Sequence, residues 1–219
     1  MKRVDQEQIH TYLQGFLLEK DPFITQLREK SLEDHIPIID DDVKHFLDVF
    51  LKTGNFTRML EIGTATGYSS ICFAKANAKL KIDTIEKDQD RYKQALDNIK
   101  QAGVQDRIRC FNADIYDVFE SLSDQSYDVI FLDGAKGQYV KMLPHLTRLL
   151  LPGGILLSDN ILFKGHVALD EEINRRKRTI IRRLRSYIEE LTNDVYYETT
   201  LLPIGDGLAI SRKKEVFQS

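Results

Sequence analysis

The sequence predicts an α/β fold: a doubly wound, mainly parallel sheet preceded by a helical extension. Three observations carry this expectation. From Arg58 onward, short apolar runs of strand length alternate with helical stretches, the signature of parallel strands joined by crossover helices. Each of the first five runs ends in, or is closely followed by, an acidic residue. Before about residue 55 the chain reads as helix.

Taken in order, Ile9, Tyr12, Leu13, Phe16 and Leu17 recur at helical spacing,. A second helix starts near Asp21-Pro22, with the proline at a first-turn position, and carries Phe23, Leu27 and Leu32,. His35-Ile36-Pro37-Ile38-Ile39 is expected to be extended, because a residue before proline is pushed out of the helical region,. A third helix covers Asp41 to Lys52 and stops at Gly54,. Strands follow at Met59–Ile62, Lys81–Ile85, Ile108–Asn112, Tyr127–Leu132 and Gly154–Ser158. Helices begin near Tyr68, Asp88, Ile115, Gly137 and Asp170. Tyr196–Leu202 and Gly207–Ser211 flank a Gly205-Asp206-Gly207 turn and suit a hairpin,. The expectation is one domain over residues 1–219, with a helical cap (1–55) on a core (56–219).

Composition narrows the function classes. Apolar residues at 42% and charged residues at 30% fit a globular chain rather than a disordered one,. With 31 Lys+Arg against 34 Asp+Glu, a uniformly basic nucleic-acid binder is excluded, although a local basic patch is not,. Cys72 and Cys110 sit in apolar stretches and read as core thiols in a reducing compartment,. No Cys/His spacing suggests zinc. No apolar run reaches membrane length, since Leu149–Leu157 is cut by Pro152-Gly153-Gly154,. Met1–His10 is charged and lacks a signal-peptide core,. A soluble cytoplasmic protein without a membrane partner is expected.

Ligands of such folds bind beyond the carboxyl ends of the strands. There stand the loop Glu61-Ile62-Gly63-Thr64-Ala65-Thr66-Gly67, then Glu86, Asp114, Asp133, and Asp159-Asn160. A G-x-x-x-G loop is not the G-x-G-x-x-G that cradles a pyrophosphate, and an anion would be repelled by Glu61 and Asp114. The acidic set suits a cationic ligand with hydroxyls and an amine, such as S-adenosylmethionine. Asp133, Asp159 and Asn160 are three hard oxygen ligands at the ends of adjacent strands, a donor set suited to Mg²⁺,.

On these residues the chain resembles the class I S-adenosylmethionine-dependent methyltransferases, which implies a Rossmann-like, seven-stranded sheet. The resemblance implies that Gly63 lets the methionine moiety approach the backbone and that Ser69 contacts its carboxylate. It assigns Glu86 to the ribose hydroxyls and Asp114 with Ile115 to the adenine. The metal trio and the words Phe131-Leu132-Asp133-Gly134-Ala135-Lys136-Gly137-Gln138-Tyr139 and Leu157-Ser158-Asp159-Asn160-Ile161-Leu162 resemble the cation-dependent catechol and caffeoyl-CoA type O-methyltransferases. Gly134 departs from that pattern, in which a second acidic or small residue is frequent. The resemblance makes Lys136, beside Asp133, the active-site lysine, either taking the acceptor proton or stabilising an oxyanion. Mg²⁺ or Mn²⁺ would be the working metal.

A basic run remains: Arg175, Arg176, Lys177, Arg178, Arg182, Arg183 and Arg185, preceded by Lys164 and His166. Seven positive charges in eleven residues exceed what solubility needs, and read as a phosphate-binding surface. Together with His35–Ile39, Asp159–Gly165 and Pro203–Ser211, the basic run resembles the bacterial tRNA 5-hydroxyuridine methyltransferases, which make 5-methoxyuridine at the wobble position. That resemblance implies a tRNA anticodon loop as partner, Lys164, Arg175, Arg176, Lys177, Arg178, Arg182 and Arg183 as RNA contacts, and Ile39 beside the cofactor. The rival expectation is a small-molecule enzyme acting on a catechol or a phenylpropanoid thioester. Phe16, Phe23, Phe46 and Phe50 offer apolar surface for the homodimer common among such relatives.

Overall fold

The computed structural model describes residues 6–169, 175–193 and 195–215, with the side chains of residues 6, 7, 175 and 176 outside that description. The extension forms α1 (Gln6–Gln14), α2 (Pro22–Glu33) and α3 (Asp41–Thr53). The core follows as β1 (Arg58–Ile62), α4 (Tyr68–Ala76), β2 (Lys81–Glu86), α5 (Gln89–Gln101), β3 (Ile108–Asn112) and α6 (Ile115–Phe119). It continues as β4 (Tyr127–Leu132), α7 (Tyr139–Leu149), β5 (Leu150–Ser158), α8 (Arg175–Thr192), β6 (Tyr197–Leu202) and β7 (Leu208–Lys213). The strands make one seven-stranded sheet in the order β3-β2-β1-β4-β5-β7-β6. The first five are parallel, and β7 pairs antiparallel with both β5 and β6. The chain reverses its direction of travel between β1 and β4, which places the ligand crevice outside their carboxyl ends.

Alternate strand residues supply two cores. In β4, Ile130 and Leu132 face one side, with Leu146, Leu184 and Tyr187 of α7 and α8. Val129 and Phe131 face the other, with Ile71 and Phe73 of α4 and Leu47 and Leu51 of α3. This two-sided burial is why the strands read as continuous apolar runs.

The cap is held by polar ties as well as packing. Asp21 caps α2 by accepting from the backbone N–H groups of Phe23 (2.9 Å) and Ile24 (3.4 Å),. Arg28 donates two hydrogen bonds to Asp41, at 2.7 and 2.6 Å. The hydroxyls of Ser31 and Thr66, 3.1 Å apart, join α2 to the loop after β1.

Four expectations shift. α1 ends at Gln14, so Phe16 and Leu17 follow it rather than belonging to it; Ile9, Tyr12, Leu13 and Phe16 are exposed. The fifth strand begins at Leu150, not Gly154: Leu150 pairs with Tyr127 and Ile155 with Val129, so residues 151–154 form a bulge,. A single 3-10 turn, Lys136–Gln138, precedes α7. Residues 170–174 lie outside the described residues, and the basic helix is described from Arg175. Among the described residues, no helix is long and apolar enough to cross a membrane.

Candidate active site

The loop after β1 is built around Glu61, which is fully buried. Its carboxylate accepts hydrogen bonds from the hydroxyls of Ser69, Ser70 and Thr84, the last at 2.6 Å. Burial pushes the carboxyl pKa up, and the three hydroxyls pull against that shift,. Glu61 thus ties β1 to β2 and to the first turn of α4. Ser69 is turned into this network, and neither residue lines the pocket beyond the strand ends. Gly63 has φ +105°, and a Cβ there would stand 2.7 Å from the carbonyl oxygen of Asp133. The glycine is therefore required by the close approach of the loops after β1 and β4, whatever ligand sits above. Gly134 answers to the same contact: its Cβ would meet the Ile62 carbonyl oxygen at 3.2 Å and Gly63 Cα at 3.3 Å.

Those loops open onto a pocket of about 420 Å³. It gathers Gly63, Glu86, Asp114, Ile115, Asp133, Lys136 and Asn160 from five separate loops. Glu86 accepts from the backbone N–H groups of Ala65 and Asp88, both at 2.9 Å, so its carboxylate is fixed before any ligand arrives. Asp114 caps α6 through the Tyr116 N–H at 3.1 Å and stands exposed on the rim. Ile39 is turned into the core with Ile24 and Val43, while Pro37 and Ile38 line the pocket in its place. Lys87, Arg91, Gln138 and Met142 also line it. Spacing did not single these out, because helix and loop positions are brought there by the fold.

The metal candidates come from neighbouring strand ends. Asp159 is fully buried. Its Oδ1 accepts from the Asn160 N–H at 2.7 Å, and its Oδ2 has no hydrogen-bond partner among the described residues. Burial pushes the Asp159 carboxyl up to about 7; the Asn160 N–H and Lys136 oppose this, while Asp40 and Asp206 add to it. Asp133 is also pushed well up, by burial first and then by the Asp159 charge. Among the described residues no three His, Cys, Asp or Glu side chains converge; the set here is two carboxylates and an amide. An orphaned buried oxygen on one of two disfavoured carboxylates fits a hard divalent cation, which would stabilise both charged forms,. Tyr139 locks this corner: its buried hydroxyl donates to the carbonyls of Leu132 and Asp159, each at 3.2 Å. Lys136 enters from the 3-10 turn, after Ala135 in a left-handed conformation (φ +57°).

The basic run divides on α8. Lys177, Arg178, Arg182 and Arg183 are exposed, as is Lys164 on the loop after β5. Arg183 also donates to the Gly137 carbonyl at 2.9 Å. Arg185 donates to the carbonyls of Val167 (3.0 Å) and Leu169 (2.9 Å). Arg175 and Arg176 have side chains outside the described residues.

A switch-point pocket rimmed by acids on an α/β sheet defines a class of ligand-binding site, and comparison with known proteins names its family. A family model described as O-methyltransferase matches residues 17–214, and the chain belongs to that family. More narrowly, its relatives of 30% identity or more put it with the caffeoyl-CoA-type O-methyltransferases of that family. It is 31% identical over 219 residues to a caffeoyl-CoA O-methyltransferase of Medicago sativa, covering 92% of this chain and 88% of that one. It is 30% identical over 205 residues to a flavonoid 3′,5′-methyltransferase of Vitis vinifera, covering 85% of each. A Staphylococcus aureus crystal structure with a provisional caffeoyl-CoA O-methyltransferase designation superposes with a TM-score of 0.86 at 32% identity, covering 93% of this chain and 98% of that one. A Bacillus cereus O-methyltransferase in complex with SAH shares the fold, with a TM-score of 0.82 at 21% identity over 94% of this chain and 97% of that one.

Proposed function

We propose that this enzyme transfers the methyl group of S-adenosylmethionine to one of two adjacent oxygens of a planar acceptor, with Mg²⁺ or Mn²⁺ held by Asp133, Asp159 and Asn160. One observation carries the reading: the buried Asp159 Oδ2 has no hydrogen-bond partner among the described residues, while its neighbour Asn160 lines the pocket with Asp133 and Lys136. When bound, such a cation lowers the pKa of a hydroxyl it contacts. Glu86, pre-fixed by two backbone donors, offers its remaining lone pairs to the ribose hydroxyls, and Asp114 and Ile115 border the adenine. Ile38, Ile62 and Met142 give the pocket apolar walls that exclude water,. Lys136 brings a positive charge, or a proton acceptor, to the reacting oxygen.

Two acceptors share this chemistry. The relatives named above support a catechol, such as a caffeoyl thioester. A second reading, tRNA 5-hydroxyuridine methylated to 5-methoxyuridine, is favoured by the exposed Lys177, Arg178 and Arg182 on α8. The 5-hydroxyl and 4-carbonyl of that base are adjacent, like the two oxygens of a catechol, and a splayed anticodon base can enter a pocket. The test is methyl transfer from labelled S-adenosylmethionine, with Mg²⁺ or with chelator, to caffeoyl-CoA, to a simple catechol and to tRNA carrying 5-hydroxyuridine. Mg²⁺-dependent label in the catechols alone selects the small-molecule reading, and label mainly in tRNA selects the RNA reading. Label that survives the chelator, or an active Asp159→Ala enzyme, overturns the metal assignment. We also propose a homodimer using the exposed apolar residues around α1; a monomer in light scattering overturns it.

A further inference from the structure

Lys136 stands on a short turn that is held from more than one side. Beneath it, Gly134 packs against β1, and Tyr139 pins the ends of β4 and β5. Within it, the Gln138 N–H donates to the Ala135 carbonyl at 2.7 Å. From outside, α8 lies across the turn. Arg183 Nη1 donates to the Gly137 carbonyl at 2.9 Å, and a Cβ on Gly137 would stand 3.6 Å from that nitrogen and 3.8 Å from Ile180 Cγ1. Two residues further along α8, Arg185 binds the carbonyls of Val167 and Leu169, on the loop that follows Asn160. One helix therefore braces both loops that carry the metal candidates and the lysine.

We propose that Arg183 is a positioning residue for Lys136, acting through the Gly137 carbonyl, rather than chiefly an acceptor contact. This rests on the role given to Lys136 under Proposed function. The turn is a single three-residue 3-10 segment headed by left-handed Ala135. A guanidinium fixed by a packed helix restricts where the Lys136 side chain starts, and small errors in placement are costly in rate. Arg183 is exposed on its outer side, so the same helix that would receive an acceptor's phosphates also sets the lysine.

The test compares Arg183→Ala and Arg183→Lys, each in the native protein and in a Lys136→Ala background, using a simple uncharged catechol as acceptor. Arg183→Ala should lower kcat about tenfold or more, with KM for catechol and for S-adenosylmethionine within about twofold. Arg183→Lys should recover much of the loss, because an ammonium can still reach a carbonyl. In the Lys136→Ala background, Arg183→Ala should cost nothing further. Hydrogen exchange in the peptide containing Gln138 should speed up in Arg183→Ala while the β1 and β4 peptides stay protected. Equal losses in both backgrounds, a loss confined to KM, or unchanged exchange would overturn the proposal. If the native enzyme methylates no acceptor, the functional reading fails by itself, and the exchange comparison still decides the brace.

Discussion

Gly63→Ala perturbs the fold and the site at one atom. The added Cβ would meet the Asp133 carbonyl oxygen at 2.7 Å, and the backbone there has φ +105°. Ordinary contact starts near 3.4 Å, so β1 and β4 must part by a good fraction of an ångström. Holding an alanine at that φ costs about 1–3 kcal/mol, and overpacking costs a similar amount. A combined loss of about 3 kcal/mol lowers Tm by roughly 6–12 °C for a chain of this length. Because the displaced group is the backbone of Asp133, methyl transfer should fall on the order of 100-fold. Gly103→Ala is the control: its φ is +69°, but a Cβ there meets nothing within 4 Å. It should show the backbone strain alone, roughly 1–3 kcal/mol, and leave transfer unchanged. Thermal unfolding by circular dichroism and methyl-transfer assays on both variants decide the matter. Equal Tm losses in the two variants, with Gly63→Ala still active, would refute the contact.

The metal-free protein should respond to pH through Asp159. Its folded carboxyl pKa of about 7 lies above the ordinary 3.8, so between those values the folded state holds a proton that the unfolded state has lost. Stability from this group falls as pH rises from about 4 to about 7 and is level above that. The Tm of Asp159→Asn relative to the native protein, both without metal, should therefore climb across that window; a constant difference would count against a buried, disfavoured carboxylate. Tyr139→Phe removes a buried hydroxyl shared by the Leu132 and Asp159 carbonyls. It should cost about 1–2 kcal/mol, read as a fall in Tm of several degrees, and an unchanged Tm would show that those bonds contribute nothing net. Reversing charge at Lys177, Arg178 and Arg182 together should weaken tRNA methylation and flatten its salt dependence, while catechol turnover stays within about twofold. Matching losses on both acceptors would remove the RNA surface.

Much of the architecture was legible in the chain. β4, buried on both faces, reads as a nearly unbroken apolar run, and β1 to β4 all stood close to their observed limits. β5 did not, because Pro152-Gly153-Gly154 looks like a break until pairing with β4 shows that residues 151–154 bulge out of a continuing strand. α1 ends at Gln14, before the Phe16 and Leu17 that share its spacing, because helical spacing records a face without saying where the helix stops. Of the site, Glu86, Asp114, Asp133 and Asn160 reach the pocket, whereas Asp159 is fully buried and does not line it. Of the residues chosen by resemblance alone, Ile115 and Lys136 line the pocket and Ser69 and Ile39 do not. Ser69 is committed to Glu61, and Ile39 points into the core one residue away from the pocket-lining Ile38.

The sequence by itself determined the strand-helix alternation, the acidic register at the strand ends and the basic run, because periodicity and charge are local properties of a chain. Tertiary structure alone decided which of those groups point outward. Glu61 is a buried tie between three elements, because Ser69, Ser70 and Thr84 reach it from two others. Gly63 is a glycine because a neighbouring strand's carbonyl lies where its Cβ would be. Arg183 braces Gly137 across 46 residues of chain, a separation that no spacing rule spans, because only packing of α8 on that turn brings the two together.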